Sequence, residues 1–248
     1  MLPTPLAIEQ AGLKAWPGIE VEWDGHWVRR AANGYSKRAN SVQCFDAADD
    51  ANVAERVVAA RRWFETRGLT PVFRLNLLSG PLLVAELDRQ GWAQIDHSHL
   101  FAMPMPVVDV PEAGRTFELL DPVFLDALQR LTGDDDHRRT KLTALLAAVT
   151  VPGRGIVLYS DFGEPVAASL VTMTGGILYT GNVITDPAQR RKGHGSAMMK
   201  VGLEWGRAHG ATTAALNVAA DNRAGQALYR ALGYERLYDY VYRVPGTA

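Results

Sequence analysis

Residues 183–199, VITDPAQRRKGHGSAMM, decide the fold of this chain. The stretch leaves a β-rich run and enters a segment whose apolar residues have helical spacing. Between the two, Arg190, Gly193 and Gly195 form an R-x-x-G-x-G pattern. Glycines allow successive backbone N–H groups to turn toward one concavity, and the N-terminus of the following helix adds partial positive charge. The pattern therefore predicts a phosphate-binding loop between a strand and a helix.

Side chains of the same loop add positive charge. Arg190, Arg191 and Lys192 are consecutive, and arginine makes bidentate contacts with phosphate. The spacing is neither the Walker pattern nor that of a dinucleotide-binding fold. These features indicate a phosphate-bearing cofactor of another kind; a basic surface turn whose glycines serve geometry alone is the alternative.

The bulk composition limits the classes of partner. The 248 residues are 47% hydrophobic and 21% charged, which is ordinary for globular protein and sufficient for two modest domains. A formal net charge of −1 gives no general attraction to nucleic acid or to an anionic membrane. Cys44 is the only cysteine, which favours a reducing compartment. Because no apolar run reaches membrane-spanning length, we expect a cytoplasmic protein.

A proline-rich segment divides the chain near its middle. Residues 103–114 hold three of the thirteen prolines, and we place a linker at residues 107–114. The pattern beyond it predicts, in order, strand 117–120, helices 122–131 and 137–149, strands 155–160, 166–173 and 177–185, helix 196–209, strand 213–218, helix 224–232 and strand 236–244. This order is typical of an α/β domain in which helices flank one mixed sheet.

The first half repeats this order without its beginning. Its predicted elements are strands 27–31, 40–45, 71–75 and 95–103 and helices 53–67 and 82–89. An offset of 142 residues aligns the halves without a gap and brings Gly68 onto Gly210 and Gly91 onto Gly233. The sequence thus predicts an incomplete domain at residues 1–106 and a complete one at residues 115–248.

Two segments resemble motifs of the GCN5-related N-acetyltransferases, the GNAT superfamily. Residues 183–199 resemble its motif A, and residues 216–235, LNVAADNRAGQALYRALGYE, resemble its motif B. The resemblance implies two tandem GNAT-like domains, each a mixed and mostly antiparallel sheet flanked by helices. It also implies acetyl-CoA as acyl donor, no metal, and direct attack by a primary amine in a ternary complex.

The resemblance also implies roles for particular residues. Tyr229 matches the tyrosine that protonates the departing CoA thiolate in many members, and packing in a helix is its alternative role. The positions that match acetyl-CoA contacts are Val183, Ile184, Thr185, Arg190, Arg191, Lys192, Gly193, His194, Gly195, Ser196, Asn217, Asn222, Arg223 and Tyr229. For Asn217 and Asn222, strand-end and capping roles are the alternatives.

The base that deprotonates the amine is left unassigned. Where some GNAT members carry a glutamate, this chain has Tyr179. Asp186 and Glu164 are weak candidates, followed by Asp161 and the loop 134–137, and a solvated turn residue is the alternative for each. A water relay is equally open.

The first half lacks the features of the phosphate loop. Asp49 and Asp50 stand where the second half has Arg191 and Lys192. The other replacements are Ala48 for Arg190, Ala51 for Gly193, Val53 for Gly195, Gly80 for Asn222 and Leu87 for Tyr229. We interpret this half as a degenerate repeat that covers a sheet edge or the acceptor side of the active domain.

Aromatic and basic residues are candidates for an acceptor pocket. Residues 23–42 are rich in both, and His97 and His99 alternate on one strand face. Three tyrosines share a face of the last strand, namely Tyr238, Tyr240 and Tyr242. Ordinary sheet packing is the alternative in each case.

Three functions fit these features. The leading hypothesis is acetyl transfer to a primary amine of a small-molecule or amino-acid-like acceptor. A non-catalytic acyl-CoA sensor or scaffold would explain the missing carboxylate base. A protein or peptide lysine acetyltransferase would use the acidic loop 133–136 to attract lysines. A monomer and a homodimer are both compatible with two GNAT-like units in one chain.

Overall fold

Eleven strands form one continuous sheet in the computed structural model, which describes residues 2–246. The strands are β1 Glu20–Asp24, β2 Trp27–Ala31, β3 Val42–Cys44, β4 Phe73–Leu75, β5 Ala93–Pro104, β6 Gly114–Phe117, β7 Gly153–Tyr159, β8 Pro165–Thr174, β9 Ile177–Thr185, β10 Thr213–Ala219 and β11 Glu235–Val244. The helices are α1 Pro5–Ala15, α2 Val53–Glu65, α3 Pro81–Arg89, α4 Pro122–Thr132, α5 Asp136–Ala147, α6 His194–Ala208 and α7 Arg223–Ala231. None of these helices combines the length and apolarity that a membrane crossing requires.

The predicted α/β class is confirmed, with a large and mostly antiparallel sheet between helices. Only β3–β4 and β9–β10 are parallel pairs. Most elements lie within a few residues of their predicted bounds, and β9 has the predicted ones. The strand predicted at 117–120 is wrong, because β6 ends at Phe117 and Asp121 caps α4 by accepting a hydrogen bond from the Val123 N–H at 2.8 Å.

The sequence patterns missed α1 and β1. Helix α1 begins at a Thr4 cap with Pro5 in its first turn, and it buries Ile8 and Ala11 against the sheet. Its buried face also carries Glu9, which is 2% exposed. A charged residue on the buried side interrupts the apolar spacing by which a helix is recognised in sequence.

The two halves exchange their last strands. The sheet order is β1-β2-β3-β4-β11-β5-β10-β9-β8-β7-β6, so β5 lies between β11 and β10, and β11 lies between β4 and β5. Strand β5 therefore extends the sheet of the second half, and β11 extends that of the first. The resulting antiparallel β5–β11 pair joins the halves at the centre of the molecule.

The gapless offset of 142 residues is wrong for β4. It pairs Phe73 with Ala215, yet Phe73 packs in the cluster under α2 and α3, whereas Ala215 packs against α1 on the opposite face. Because strand side chains alternate between faces, the correct correspondence in this strand is displaced by one residue.

Candidate active site

Strands β9 and β10 separate partway along their length. They pair only where residues 177–180 lie beside residues 213–216, and residues 181–185 have β8 as their only strand neighbour. A bulge accompanies the separation, since Asn182 and Val183 both lie opposite Ser169. Asn182 has a φ of 49°, which is the left-handed region. The opening exposes backbone groups of β9 that a neighbouring strand would otherwise cover.

A loop with unpaired backbone donors follows this opening. Asp186 accepts a hydrogen bond from the Ala188 N–H at 2.8 Å and so caps a short 3-10 turn. Gly193, with a φ of 84°, then leads directly into α6. Within residues 2–246, no backbone acceptor is found for the N–H groups of residues 193–196, although Ala197 N–H already bonds to the Gly193 carbonyl. These donors and the helix N-terminus form a site for an anion.

A cavity of about 650 Å³ joins the loop to the opening on the α6 and α7 side of the sheet. Its lining comprises Val183, Ile184, Thr185, Arg190, Arg191, Gly193, His194, Gly195, Ser196, Asn222, Ala224, Gly225, Leu228 and Tyr229. The structure thus brings together all but three of the residues that sequence analysis assigned to acetyl-CoA. Sequence analysis did not assign Ala224, Gly225 and Leu228 to the site, because within motif B they are recognisable only as part of a helix.

The three remaining residues lie outside this cavity. Lys192 is exposed and donates to Gln189 Oε1 at 2.8 Å. Arg223 is an exposed residue at the start of α7. Asn217 points to the α1 face of the sheet, where its amide donates to the Tyr179 hydroxyl at 2.8 Å. Asn222, by contrast, caps α7 by accepting from the Gly225 N–H at 2.9 Å.

Tyr229 forms part of the cavity wall. Its ring packs edge-on against Phe101 and Tyr234, with centroid distances of 6.5 and 6.0 Å. Burial raises the pKa of Tyr229 to about 12. The phenol is therefore protonated throughout the neutral range and can donate a hydrogen bond or a proton to a group bound in the cavity.

A second cavity, of about 850 Å³, lies beside the same end of β10 on the α1 side. Its walls are residues 34–38, residues 96–98, Arg138, residues 217–221, Tyr240 and Tyr242. Of the candidates for an acceptor pocket, Tyr240, Tyr242 and His97 therefore lie on its walls. Tyr238 donates to Glu9 Oε1 at 2.9 Å instead, and the His99 Nδ1 lies 2.9 Å from Asp239 Oδ1.

Comparison with known proteins identifies the family. A family model described as "Probable histone acetyltransferase Rv0428c C-terminal" matches residues 6–243. The chain belongs to this family. It is 23% identical over 243 residues to the uncharacterized N-acetyltransferase YobR of Bacillus subtilis, covering 96% of this chain and 97% of that protein. It is 28% identical over 248 residues to the probable histone acetyltransferase Rv0428c of Mycobacterium tuberculosis, covering 98% of this chain and 74% of that protein.

Solved structures agree on the fold. A GCN5-related N-acetyltransferase from Kribbella flavida superposes with a TM-score of 0.73 at 19% identity, over 100% of this chain and 98% of that one. A tandem GNAT protein from the clavulanic acid biosynthesis pathway superposes with a TM-score of 0.64 at 15% identity, over 84% and 76% of the two chains. The membership predicted from residues 183–199 and 216–235 is confirmed, and the chain is a GNAT N-acetyltransferase.

No candidate for the base of this N-acetyltransferase lines the donor cavity. Asp186 serves as a cap, and Glu164 forms an exposed ion pair with Arg130. Asp134 pairs with Arg138 at 2.9 Å, and Asp135 caps α5. Tyr179, at the position of the superfamily's glutamate, is 3% exposed, and burial raises its pKa above the ordinary range.

The corresponding region of the first half is occupied by its own charges. Asp49 accepts hydrogen bonds from the His26 N–H at 2.7 Å and from Arg56 at 2.9 and 3.1 Å. Asp50 accepts from the N–H groups of Leu82 and Leu83 at the start of α3, at 2.5 and 3.1 Å. A phosphate here would face two carboxylates, so the predicted charge reversal has a structural consequence.

A cluster of possible metal ligands lies between the exchanged strands. Ligand atoms of His97, His99 and Asp239 all lie within 4.8 Å of one another. Arg236, however, bonds to both carboxylate oxygens of Asp239. A cation would have to displace or tolerate this guanidinium, so the residues fit a hydrogen-bonded clamp across β5 and β11 better than a metal centre.

Proposed function

We propose that this chain is an acetyl-CoA-dependent N-acetyltransferase acting on a primary amine of a small or amino-acid-like molecule. The observation that carries the proposal is the continuous cavity that runs from the unpaired N–H groups of residues 193–196 to the opening between β9 and β10. Acetyl-CoA carries an anionic pyrophosphate, then an extended arm with amides, and then the reactive thioester. The unpaired N–H groups, the cavity and the β9–β10 opening follow one another in the same order.

The residues present fit the acetyl-CoA groups along the cavity. The pyrophosphate would accept from the N–H groups at the start of α6, with Arg190 and Arg191 adding charge. The pantetheine amides would pair with backbone groups of β9 that have no partner on the β10 side. The thioester would then lie near Tyr229, which forms part of the same cavity wall.

The proposed reaction is a direct transfer. The neutral amine nitrogen attacks the thioester carbonyl carbon, and backbone N–H groups at the opening stabilise the oxyanion. The carbon–sulfur bond then breaks, and the thiolate receives a hydrogen bond or proton from Tyr229, which solvent reprotonates. The nitrogen loses its extra proton to water, directly or through a base that we leave unassigned.

Placing the acceptor in the second cavity gives the two substrates separate entrances. The donor cavity lies on the α6 and α7 side, and the second cavity lies on the α1 side of the same strand end. An amine bound there reaches the thioester through the β9–β10 opening without crossing the acetyl-CoA site. We further propose a cytoplasmic monomer or homodimer, with no nucleic-acid or membrane partner.

Calorimetric titration with acetyl-CoA tests the proposal. We expect one site per chain in the wild type, no binding by Gly193→Glu, and unchanged binding by Ala51→Glu, which places the same charge at the corresponding position in the first half. Thermal melts of both variants check that they fold. If the folded wild type does not bind acetyl-CoA, the proposal is wrong.

Two other functions remain as outcomes of an amine assay. Binding without turnover of any amine would favour an acyl-CoA sensor or scaffold. The name of the Mycobacterium tuberculosis relative favours a protein acetyltransferase, so the panel includes lysine-containing basic peptides beside free amino acids and simple amines. Turnover of peptides alone would replace the small-molecule acceptor with a lysine side chain.

A further inference from the structure

Arg38 is a cation without a carboxylate partner in the second cavity. Three lysine and arginine side chains line this cavity, and two of them are neutralised locally. Lys37 lies 2.7 Å from Asp96, and Arg138 lies 2.9 Å from Asp134. Within residues 2–246, no carboxylate oxygen lies within ion-pair distance of the Arg38 guanidinium. Arg38 therefore presents an uncompensated charge to the cavity.

The position of Arg38 is fixed by its surroundings. Its guanidinium lies over the ring of Trp16, 4.8 Å from the ring centroid. Trp16 is 2% exposed and is itself held by a hydrogen bond from its Nε1 to Ser36 Oγ at 2.9 Å. The Arg38 Nε is buried and has no hydrogen-bond acceptor among the described residues. Such a rigid and unsatisfied cation is preorganised for a ligand.

This cation stands beside the place where β9 opens. One terminal nitrogen of Arg38 lies 3.9 Å from the position that a Cβ on Gly181 would take. Gly181 immediately precedes the bulge at Asn182 and Val183. The terminal nitrogens of the two fully buried arginines nearby already have partners, since Arg74 pairs with Glu9 and Arg30 bonds to the Trp16 carbonyl and Gln43. Their Nε atoms, like that of Arg38, have no acceptor among the described residues, so the terminal nitrogens make the difference. Arg38 is thus the group that an acceptor would meet next to the thioester.

We propose that the acceptor amine carries a carboxylate and that Arg38 binds it. This inference rests on the proposed acetyl transfer and specifies its substrate class. The planar guanidinium matches a carboxylate in a bidentate pair. Because Arg38 adjoins the β9 opening, the amine and the carboxylate must be on the same or neighbouring carbons, as in an amino acid. Tyr240 and Tyr242 leave space for a side chain in the remaining cavity.

The proposal gives the first half a part in catalysis. Arg38 and Trp16 belong to the first half, whereas the donor cavity is built from the second. The same charge disfavours a lysine side chain of a basic peptide, because a cation would approach an unneutralised guanidinium. The first half would then select the acceptor without binding acetyl-CoA.

The test compares acceptors that differ only in the carboxylate. Release of free CoA is measured for a panel of L-amino acids, their amides and the corresponding decarboxylated amines. We expect kcat/KM to favour the acids, and Arg38→Met to reduce kcat/KM for acids about 10- to 100-fold while changing it little for amides. Arg38→Lys should restore part of the preference, and Arg61→Met, which removes an exposed arginine of α2, should leave it unchanged.

The outcomes separate this inference from the proposed function. Turnover in which amides equal acids, or an equal loss for both in Arg38→Met, overturns the carboxylate assignment while leaving acetyl transfer intact. If no member of the panel is turned over, binding of acids and amides to the CoA-loaded protein is measured by thermal shift. Absence of acid-selective, Arg38-dependent binding in that experiment also overturns the assignment.

Discussion

From their three-strand segments onward, the two halves of the molecule have the same order of elements, but the loops that follow β3 and β9 carry opposite charges. In the first half, β3 and β4 pair at Val42 and Gln43 only, and the acids of the loop bond to Arg56 and to the start of α3. In the second half, β9 and β10 separate, and the loop leaves its N–H groups and arginines available. The proposed function depends on the β9–β10 opening and on these available groups, and the shared order of elements alone provides neither.

The comparison also shows what the first half contributes to the second. Its last strand completes the sheet of the second half, and its loop 34–38 forms a wall of the acceptor-side cavity. The first half contains buried ion pairs such as Glu9–Arg74 as well as Arg38, which is proposed to bind the acceptor, whereas Arg190 and Arg191 of the second half line the cavity of the proposed cofactor. Each variant below removes a side-chain group from one of the two halves.

The largest expected effect comes from breaking the internal ion pair of the first half. Glu9 and Arg74 are 3% and 2% exposed and make two hydrogen bonds, at 2.5 and 3.1 Å. Glu9→Gln leaves the Arg74 charge buried and unpaired, which costs about 3–5 kcal/mol in the free energy of unfolding. Urea denaturation measures this loss, and the control is Glu65→Gln, which changes an exposed side chain of α2. A loss no greater than the control's would show that the network is dispensable.

The same pair predicts how stability depends on pH. Burial opposes ionisation of Glu9, but Arg74 outweighs it, so the pKa of this carboxyl lies below its ordinary value of 4.5. Because the folded pKa is the lower one, the stabilisation is complete above about pH 4.5 and is lost as pH falls below it. Urea midpoints between pH 7 and pH 3 should therefore converge for the wild type and Glu9→Gln. Parallel curves would exclude Glu9 as the titrating group.

Tyr229→Phe tests the second half at its reactive end. Removing the proton donor should lower kcat about 100-fold, while acetyl-CoA affinity measured by calorimetry stays unchanged. Because the pKa of Tyr229 is raised to about 12, the wild-type rate should not fall through titration of this phenol in the ordinary assay range. Tyr234→Phe, whose ring lies 6.0 Å away and outside the cavity lining, is the control. Equal rates for wild type and Tyr229→Phe would remove the phenol from the mechanism.

Most of the residues that the sequence assigned to acetyl-CoA line one cavity, because the features that identify them are local. Glycine spacing, consecutive cations and the strand-to-helix change all occur within residues 183–199, and most of these residues line one cavity. Among the residues of this stretch that were assigned to acetyl-CoA, Lys192 is the exception, because side-chain direction in an irregular loop follows no period. Its amine turns to Gln189.

Features that depend on distant partners could not be predicted in the same way. Alternation identifies β5 and β11 as strands, but it does not determine that they exchange between the halves. Arg38 lies in an aromatic and basic segment of the sequence, yet the role proposed for it rests on its surroundings in space. Among residues 2–246, no carboxylate oxygen lies within ion-pair distance of its guanidinium. Glu9 similarly prevents recognition of α1 in the sequence, because the partner that explains its burial, Arg74, lies 65 residues away.

The smallest expected effects come from removing the caps of the corresponding helices α3 and α7. Asp50→Ala removes the bonds to the Leu82 and Leu83 N–H groups at α3, and Asn222→Ala removes the cap of α7. Each should cost about 1 kcal/mol in urea denaturation.

Only the α7 substitution should weaken acetyl-CoA binding, because Asn222 also lines the donor cavity. Asp50→Ala should keep one site per chain, since the first half still lacks the cations that the proposed cofactor requires. A second site in Asp50→Ala would mean that the acidic side chains alone block an otherwise competent loop. The difference between the halves would then lie in the acidic side chains of the first half rather than in its lack of loop arginines.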